Sequence, residues 1–410
     1  MLFRSMHIHD FPDTTLLVIF SFLCEADLCR VARTCRGWRA IAYDSSLWRC
    51  VNLKRFHKLN EFSLIKLIQS RMVPMLFKIN LGGFTLSPRV FQVLAMHCKQ
   101  LRVLCLGSVS FEEDFTVSDE SFPGNLTKLD IRHSSGHPTA FKVITQNVQQ
   151  VQCLGLSDSI FGVIDTEGEK LRFFASLKEV RILEFSYCNS LTDTIVQFIA
   201  ENCPNLRSLC LRRCHNIRGE SLSKLIDCCS SLTSLVLDGT SVSDNEVQAV
   251  SWENSMITEV DLSWCRHLSK VGLKSILTRC RLLRFVRLCC CGYGHAITDE
   301  VLHAMTECRY RSLQVLDLSY SSEVTNCALG RFVASCSSLQ YLRVYHCQKI
   351  TSTLVNLIPS ASNVFVVANF HLQRGGLATS ATSEGPATLL SATPVNYSQR
   401  ESLDMSLRQD

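Results

Sequence analysis

Cysteine and histidine are the residues of this sequence whose types and number could carry chemistry. The 410 residues include 22 cysteines and 12 histidines. Thiolates and imidazoles bind zinc, and a thiolate beside an imidazole acts as a nucleophile. In an oxidising compartment the same thiols would form disulfides. The positions of the thiols along the chain therefore decide between metal binding, catalysis, cross-linking and packing.

Metal binding and catalysis have little support in the spacing. Zinc sites pair their ligands as Cys-x-x-Cys or with histidine at fixed intervals, whereas Cys289, Cys290 and Cys291 are contiguous. No glycine-rich phosphate-binding loop occurs. We therefore expect no metal, no cofactor and no catalytic residue. A Cys/His hydrolase remains a third hypothesis, because four histidines lie near cysteines in expected turns: His215, His267, His295 and His346.

Composition narrows the class of protein. With 46% hydrophobic and 19% charged residues and a net charge of +5, the chain is not mainly disordered and shows no bias towards nucleic acid. The sequence contains no run of 18 apolar residues, which a transmembrane helix would need. Its first residues do not resemble a secretory signal. We expect reduced thiols and a location in the cytoplasm, the nucleus or both, without membrane attachment. Residues 1–58 carry nine Lys/Arg against five acids, which suits an acidic protein partner.

A repeat of about 26 residues dominates the sequence. Its pattern is apolar-x-x-apolar-x-apolar, so that apolar residues occupy positions 0, 3 and 5 of each repeat. Position 0 recurs at intervals of 25 to 30 residues, at Trp48, Leu76, Leu101, Leu126, Val151, Val180, Leu206, Leu232, Ile257, Leu283, Leu313, Leu339 and Val364. The pattern predicts a short strand in each repeat. The residues that follow have helical spacing, as Ile195, Phe198 and Ile199 illustrate. One strand and one helix cannot bury their apolar faces alone, but stacked repeats can.

The cysteines follow the same period. Ten of the 22 stand either eight residues after position 0 or three residues before it. They are Cys188, Cys214, Cys265, Cys291 and Cys347 after the strand, and Cys98, Cys203, Cys229, Cys280 and Cys336 before it. In period and consensus this resembles the cysteine-containing leucine-rich repeat. The resemblance implies that these thiols pack at turns and helix ends in a horseshoe-shaped α/β solenoid, with parallel strands on the concave face and helices outside.

A separate motif precedes the repeats. Its spacing predicts three helices, from Pro12 to Leu23 with Asp10 as a cap, from Asp27 to Cys35, and onward from Gly37. The residues from Pro12 to Leu47-Trp48 resemble the F-box motif in order and spacing, with Phe11 in place of the usual leucine. The resemblance implies binding to an acidic Skp-type adaptor that links to a cullin and its RING subunit. The positions that match the family's adaptor-contacting or packing residues are Pro12, Leu16, Leu17, Ile19, Phe20, Leu23, Leu28, Val31 and Trp38.

The outward-facing residues of the strands form the second candidate surface. Their charges are mixed, which favours a protein or peptide ligand over a polyanion. Aromatic residues and arginine are enriched in binding hot spots. Such residues gather towards the C-terminal repeats, and we expect the substrate there, at Phe285, Arg287, Tyr341, Arg343 and Tyr345.

The sequence thus predicts four segments and one main function. The segments are an extension at 1–9, an F-box at 10–50, leucine-rich repeats at 51–370 and a flexible tail at 371–410, rich in Ser, Thr, Ala and Gly. The main hypothesis is a non-catalytic substrate receptor of a Skp–cullin–F-box ubiquitin ligase, with an unidentified protein substrate on the repeats. The alternative is a non-degradative scaffold that uses the F-box for assembly or localisation.

Overall fold

The structure is a computed structural model that describes residues 11–112, 122–136, 138–157, 167–359 and 362–369. The chain divides into two compact units, Met1–Glu179 and Val180–Asp410. Within the described ranges, no helix combines the length and the apolar character needed to cross a membrane. The predicted extension at 1–9 and the predicted tail lie outside the described residues, as does Asp10. The boundaries at residues 50 and 370 stay predictions.

The first unit begins with three short helices and continues with repeats of one strand and one helix. Its described helices are α1 (Asp13–Phe20), α2 (Glu25–Val31), α3 (Arg36–Ala42), α4 (Glu61–Leu67), α5 (Pro88–His97), α6 (Pro138–Gln146) and α7 (Glu167–Ser176). Its strands are β1 (Cys50–Asn52), β2 (Lys78–Asn80), β3 (Thr85–Leu86), β4 (Val103–Cys105), β5 (Ser110–Phe111), β6 (Lys128–Asp130) and β7 (Cys153–Ser157). Strands β1, β2, β4, β6 and β7 pair in that order, and β3 pairs with β5. All of these pairs are parallel.

Two of the three N-terminal helices are shorter than the spacing predicts. Helix α1 ends at Phe20, because the next residues turn more tightly and the Leu23 N–H donates to the Phe20 carbonyl. Helix α2 ends at Val31, whose carbonyl accepts a hydrogen bond from the Thr34 hydroxyl at 2.8 Å. Cys35 was predicted to end α2. Instead it caps α3, since its sulfur accepts a hydrogen bond from the Trp38 N–H.

The second unit repeats the strand–helix pattern without interruption. Its described helices are α8 (Asp193–Asn202), α9 (Leu222–Cys228), α10 (Asp244–Ala249), α11 (Lys270–Arg279), α12 (Asp299–Glu307), α13 (Asn326–Ser335) and α14 (Leu354–Leu357). Its strands are β8 (Ile182–Ser186), β9 (Ser208–Arg212), β10 (Ser234–Val236), β11 (Glu259–Asp261), β12 (Phe285–Arg287), β13 (Val315–Asp317), β14 (Tyr341–Arg343) and β15 (Phe365–Val367). They pair in parallel in chain order. The α/β class and the repeat architecture are confirmed.

The strand register matches the predicted period until the last repeat. Residues at position 3 pair with one another, as Leu183 does with Leu209. In the last repeat, Leu342 pairs with Val366 rather than with Val367. The predicted start at Val364 is therefore one residue too late.

The core of each repeat contains the apolar residues of the period and the phased thiols. The residues at positions 0, 3 and 5 are buried in every repeat before the last, as in Leu206, Leu209 and Leu211. All ten cysteines that follow the repeat phase are buried as well. At position 8, three thiols donate to a carbonyl of the preceding repeat, as Cys265 does to Leu237 at 3.1 Å. Those before position 0 stand at the ends of helices, as Cys203 does after α8.

In ten repeats, the turn after the strand has a residue in the left-handed backbone conformation at position 7. The set comprises Gly83, Ser108, His133, Tyr187, Arg213, Gly239, Trp264, Cys290, Tyr320 and His346, with φ between 54° and 83°. The first repeat differs, because its position 7 is Arg55, which lies in a short 3-10 helix. Glycine adopts this conformation without strain, and bulky residues adopt it rarely. The sequence period did not reveal this position, because the residue types there differ.

Carboxylate side chains join consecutive repeats, and Asp193 among them is buried. Asp193 is the first residue of α8, and its side chain accepts hydrogen bonds from the Arg218 and Ser221 N–H groups at 2.7 and 3.1 Å. It also accepts from the Ser221 hydroxyl at 2.8 Å. Asp299 bonds to the N–H of Thr325 in the next repeat at 2.8 Å. Each carboxylate thus satisfies N–H groups at the entry to the next helix, where intrahelical partners are missing.

We expect Asp193→Ala to destabilise the second unit. The change leaves buried N–H groups of the next repeat without an acceptor, which costs roughly 1.5–3 kcal/mol of unfolding free energy. Urea unfolding followed by tryptophan fluorescence would measure the loss. Asp227→Ala removes an exposed carboxylate on α9 and serves as the control, with a change below about 0.5 kcal/mol. Equal effects of the two substitutions would contradict this role of Asp193.

Candidate functional site

The predicted adaptor-contacting residues divide into a buried and an accessible group. Leu16, Phe20 and Leu28 are buried within the N-terminal helical segment, residues 11–48. The Phe20 ring packs edge-on against Trp38, with 5.5 Å between the ring centroids. The buried Trp48 indole donates to the Ala42 carbonyl at 2.9 Å and so closes the segment. These contacts hold the three helices together, so the buried group is structural.

The accessible group lies on and after α1. Pro12 and Ile19 are exposed, whereas Leu17, Leu23, Val31 and Trp38 are half-buried. Two residues that were not predicted are strongly exposed: Val18 is 61% exposed and Phe22 is 84% exposed. We call Val18, Ile19 and Phe22 the α1 apolar surface.

A sequence signal for the α1 apolar surface does exist. The run Leu16-Leu17-Val18-Ile19-Phe20 is apolar on every side of the helix. A helix of that kind needs apolar cover all round. The segment's own core covers the side with Leu16 and Phe20 only. Helical spacing predicts the residues that face this core, and therefore Val18 and Phe22 on the outer side were not predicted.

The charges of the N-terminal helical segment are balanced, and some of its carboxylates are engaged locally. Asp27 bonds to the Arg30 guanidinium at 2.6 Å, and hydrogen bonds from the Cys24 thiol and from Arg30 lower the pKa of this carboxyl. Asp44 accepts hydrogen bonds from the Ser46 backbone and hydroxyl at 2.9 and 2.6 Å. Asp13 on α1 is exposed, as are Arg33 and Arg36.

The second predicted site, on the strand face, has more buried and paired polar side chains than expected. Polar residues that were expected to face a ligand are buried between neighbours, including Glu184, Asp238 and Asp261. Arg287 bonds to Glu259 at 2.6 Å. Arg343 lies 3.8 Å from Asp317. The charges of this face therefore compensate one another across repeats.

The aromatic members of the predicted substrate patch are more accessible than its arginines. Tyr341 and Tyr345 are exposed, and Phe285 is half-buried. The Tyr341 ring also meets Phe365 edge-on, with 6.0 Å between centroids. The structure thus brings the five residues onto the last strands, but its arginines are engaged with carboxylates.

The cysteines have the properties of packing residues. Burial raises the pKa of the Cys229, Cys265 and Cys280 thiols to about 12. A thiol with so high a pKa is protonated at neutral pH and is neither a nucleophile nor a ready metal ligand. Among the described residues, no group of three or more His, Cys, Asp or Glu side chains is arranged to hold a metal ion.

Comparison with known proteins finds both motifs. A family model described as F-box-like matches residues 8–54, and a model described as Leucine Rich repeat matches residues 253–277. The chain is 30% identical over 130 residues to mouse F-box/LRR-repeat protein 12 and 29% identical over 130 residues to the human protein of that name. Each alignment covers 30% of this chain and only 39% of the relative's length.

A solved structure shares the fold over a longer range. A chain in the crystal structure of the Rad7 and Elc1 complex in yeast superposes with a TM-score of 0.50 and 16% sequence identity. The match covers 84% of this chain and 98% of the other. At this identity the likeness concerns the fold alone.

The buried and exposed phenylalanines of the N-terminal segment should differ in their effect on stability. Phe20→Ala opens a cavity in the helical core and should cost about 3–5 kcal/mol of unfolding free energy. Phe22→Ala removes a solvent-exposed ring and should change it by less than about 0.5 kcal/mol. Chemical denaturation of the full chain compares them. A destabilisation by Phe22→Ala as large as that by Phe20→Ala would show that Phe22 is part of the core.

Proposed function

We propose that this chain, which carries an F-box-like segment followed by leucine-rich repeats, is the substrate-recognition subunit of a Skp–cullin–F-box ubiquitin ligase. The observation that carries the proposal is the α1 apolar surface, which lies within the F-box-like match at residues 8–54. The Skp-type adaptor covers this surface. The cullin and the RING subunit join through the adaptor, in the cytoplasm, the nucleus or both.

The energetics favour such a complex. Burying one large apolar side chain contributes about 1.5–3 kcal/mol, and the α1 apolar surface presents three such side chains together. Aromatic residues at the centre of an interface are frequent hot spots, and Phe22 is the most exposed of the three. The exposed Arg33 and Arg36 nearby would speed the encounter with an acidic adaptor.

The repeats contribute binding rather than chemistry. Burial raises the pKa of the Cys265 and Cys280 thiols and keeps them protonated, and strand-face charges such as Arg287 and Glu259 are paired with each other. A receptor of this kind accelerates ubiquitin transfer by holding a substrate lysine near a recruited conjugating enzyme, which is catalysis by proximity. No reacting group of the receptor is needed.

Adaptor binding tests the first half of the proposal. We expect Ile19→Ala and Phe22→Ala each to weaken binding of a purified Skp-type adaptor at least about tenfold, because each removes buried apolar contact. Phe62→Ala is the matched control, since Phe62 is a similarly exposed phenylalanine on α4. Calorimetry on the full chain would measure the affinities.

Two outcomes of this measurement contradict the proposal. One is the absence of adaptor binding by the unmodified chain. The other is an equal loss of affinity in the Phe22→Ala and Phe62→Ala variants, which would show that the α1 apolar surface is not the contact.

The turnover of bound proteins tests the second half. Proteins captured by the full chain in cells should become more abundant when the chain carries Phe22→Ala, because the substrate is still held but the ligase is not recruited. Quantitative mass spectrometry would follow their half-lives, with Phe62→Ala as the control. Unchanged half-lives would refute a degradative receptor and support the non-degradative scaffold.

A further inference from the structure

The left-handed turn position carries unusually large side chains in the second unit. Trp264, Tyr320 and His346 stand there with φ of 59°, 62° and 54°. The left-handed conformation is unfavourable for an L-residue, because its Cβ comes too close to the following carbonyl oxygen. The same position holds glycine in Gly83 and Gly239. Large residues are therefore present at a position where the backbone favours glycine, which points to a role of the side chains themselves.

These side chains form one continuous surface across successive turns. The Arg213 guanidinium lies over the Trp264 ring at 5.4 Å. The centroids of Trp264 and Tyr320 are 6.1 Å apart, and those of Tyr320 and His346 are 4.7 Å apart. Tyr345 continues the row at 6.5 Å from His346. We call these five residues the turn strip.

Small residues in the intervening repeats permit these contacts. Gly239 stands between Arg213 and Trp264, and a Cβ atom at Gly239 would lie 2.6 Å from the Arg213 Cδ. Cys290 occupies the corresponding position between Trp264 and Tyr320. Gly239 and Cys290 therefore let Trp264 meet Arg213 and Tyr320 across one repeat, while Tyr320 and His346 meet directly from consecutive repeats.

The free charge beside the turn strip is positive. Asp238 bonds to Arg212 at 3.1 Å, and Glu323 bonds to Lys349 at 2.7 Å. By contrast, the Arg266 guanidinium lies over the Tyr293 ring at 5.5 Å, and the described residues provide it with no carboxylate. The carboxylates here are neutralised, while an exposed arginine presents unused donors.

We propose that the turn strip and Arg266 bind an acidic segment of a partner protein that also carries an apolar side chain. A guanidinium forms strong paired hydrogen bonds with carboxylates, and aromatic rings with arginine are the usual anchors of protein interfaces. This inference rests on the proposed function, because that function identifies the partner as the substrate.

A peptide fits these observations better than a single-stranded nucleic acid does. Nucleic-acid bases stack on accessible ring faces along a positive groove. Here the Tyr320 ring already lies against His346 at 4.7 Å.

Selection from a random dodecapeptide library on the immobilised full chain would test the proposal. We expect the selected peptides to be enriched in Asp and Glu and to contain an aromatic or aliphatic residue. Fluorescence anisotropy of the tightest labelled peptide should show at least tenfold weaker binding to the Arg266→Glu and Tyr320→Ala variants. Both residues are exposed, so unchanged thermal unfolding would confirm that the variants fold.

Matched controls separate the turn strip from other surfaces. Arg331→Glu makes the same charge change on the exposed side of α13, and Phe62→Ala removes an exposed aromatic ring from α4. Neither should change the affinity more than twofold. All variants should retain adaptor binding, so a failure here is distinguishable from a failure of the F-box proposal.

Three results would overturn the inference. They are the absence of any peptide whose binding depends on Arg266, selected peptides without an acidic bias, and tighter binding of a single-stranded DNA dodecamer that depends on the same residues.

Discussion

Each repeat of this protein depends on its neighbours to satisfy polar groups that it cannot satisfy alone. The strand and helix of one repeat leave apolar surface and unpaired backbone groups at both sides. At several junctions, a carboxylate such as Asp193, Asp244 or Asp299 accepts from N–H groups of the next repeat. A thiol such as Cys265 donates to a carbonyl of the preceding repeat. Because Asp193 and Cys265 are buried, a shift in register would leave them without partners.

This dependence explains why so many cysteines serve packing. The position after the strand has room for a small side chain that is apolar and still donates one weak hydrogen bond, and a thiol meets both requirements. Burial then raises the pKa of Cys265 to about 12 and keeps the thiol protonated. The same burial that stabilises the junction therefore suppresses the reactivity that the number of cysteines first suggested.

Sequence reasoning predicted the features that recur with the repeat period. It failed for features that do not recur with that period. It predicted the buried strand positions and the ten phased thiols, because both recur at fixed intervals. It misplaced the last strand, since Val364, Val366 and Val367 offer alternative apolar patterns. It missed Phe22, because spacing identifies the side of a helix that faces its own core and gives no sign of what an apolar outer side contacts.

The turn strip escaped prediction for a different reason. A glycine or asparagine would have marked a left-handed residue, but Trp264, Tyr320 and His346 contradict the local preference. Neighbouring repeats hold the turn in place, and ring contacts of about 0.5–1.5 kcal/mol each offset part of the strain. In natural sequences, a conflict between local preference and the overall fold tends to occur at functional sites. In a solenoid whose strand charges already compensate one another, the turns are where side chains remain available to a partner.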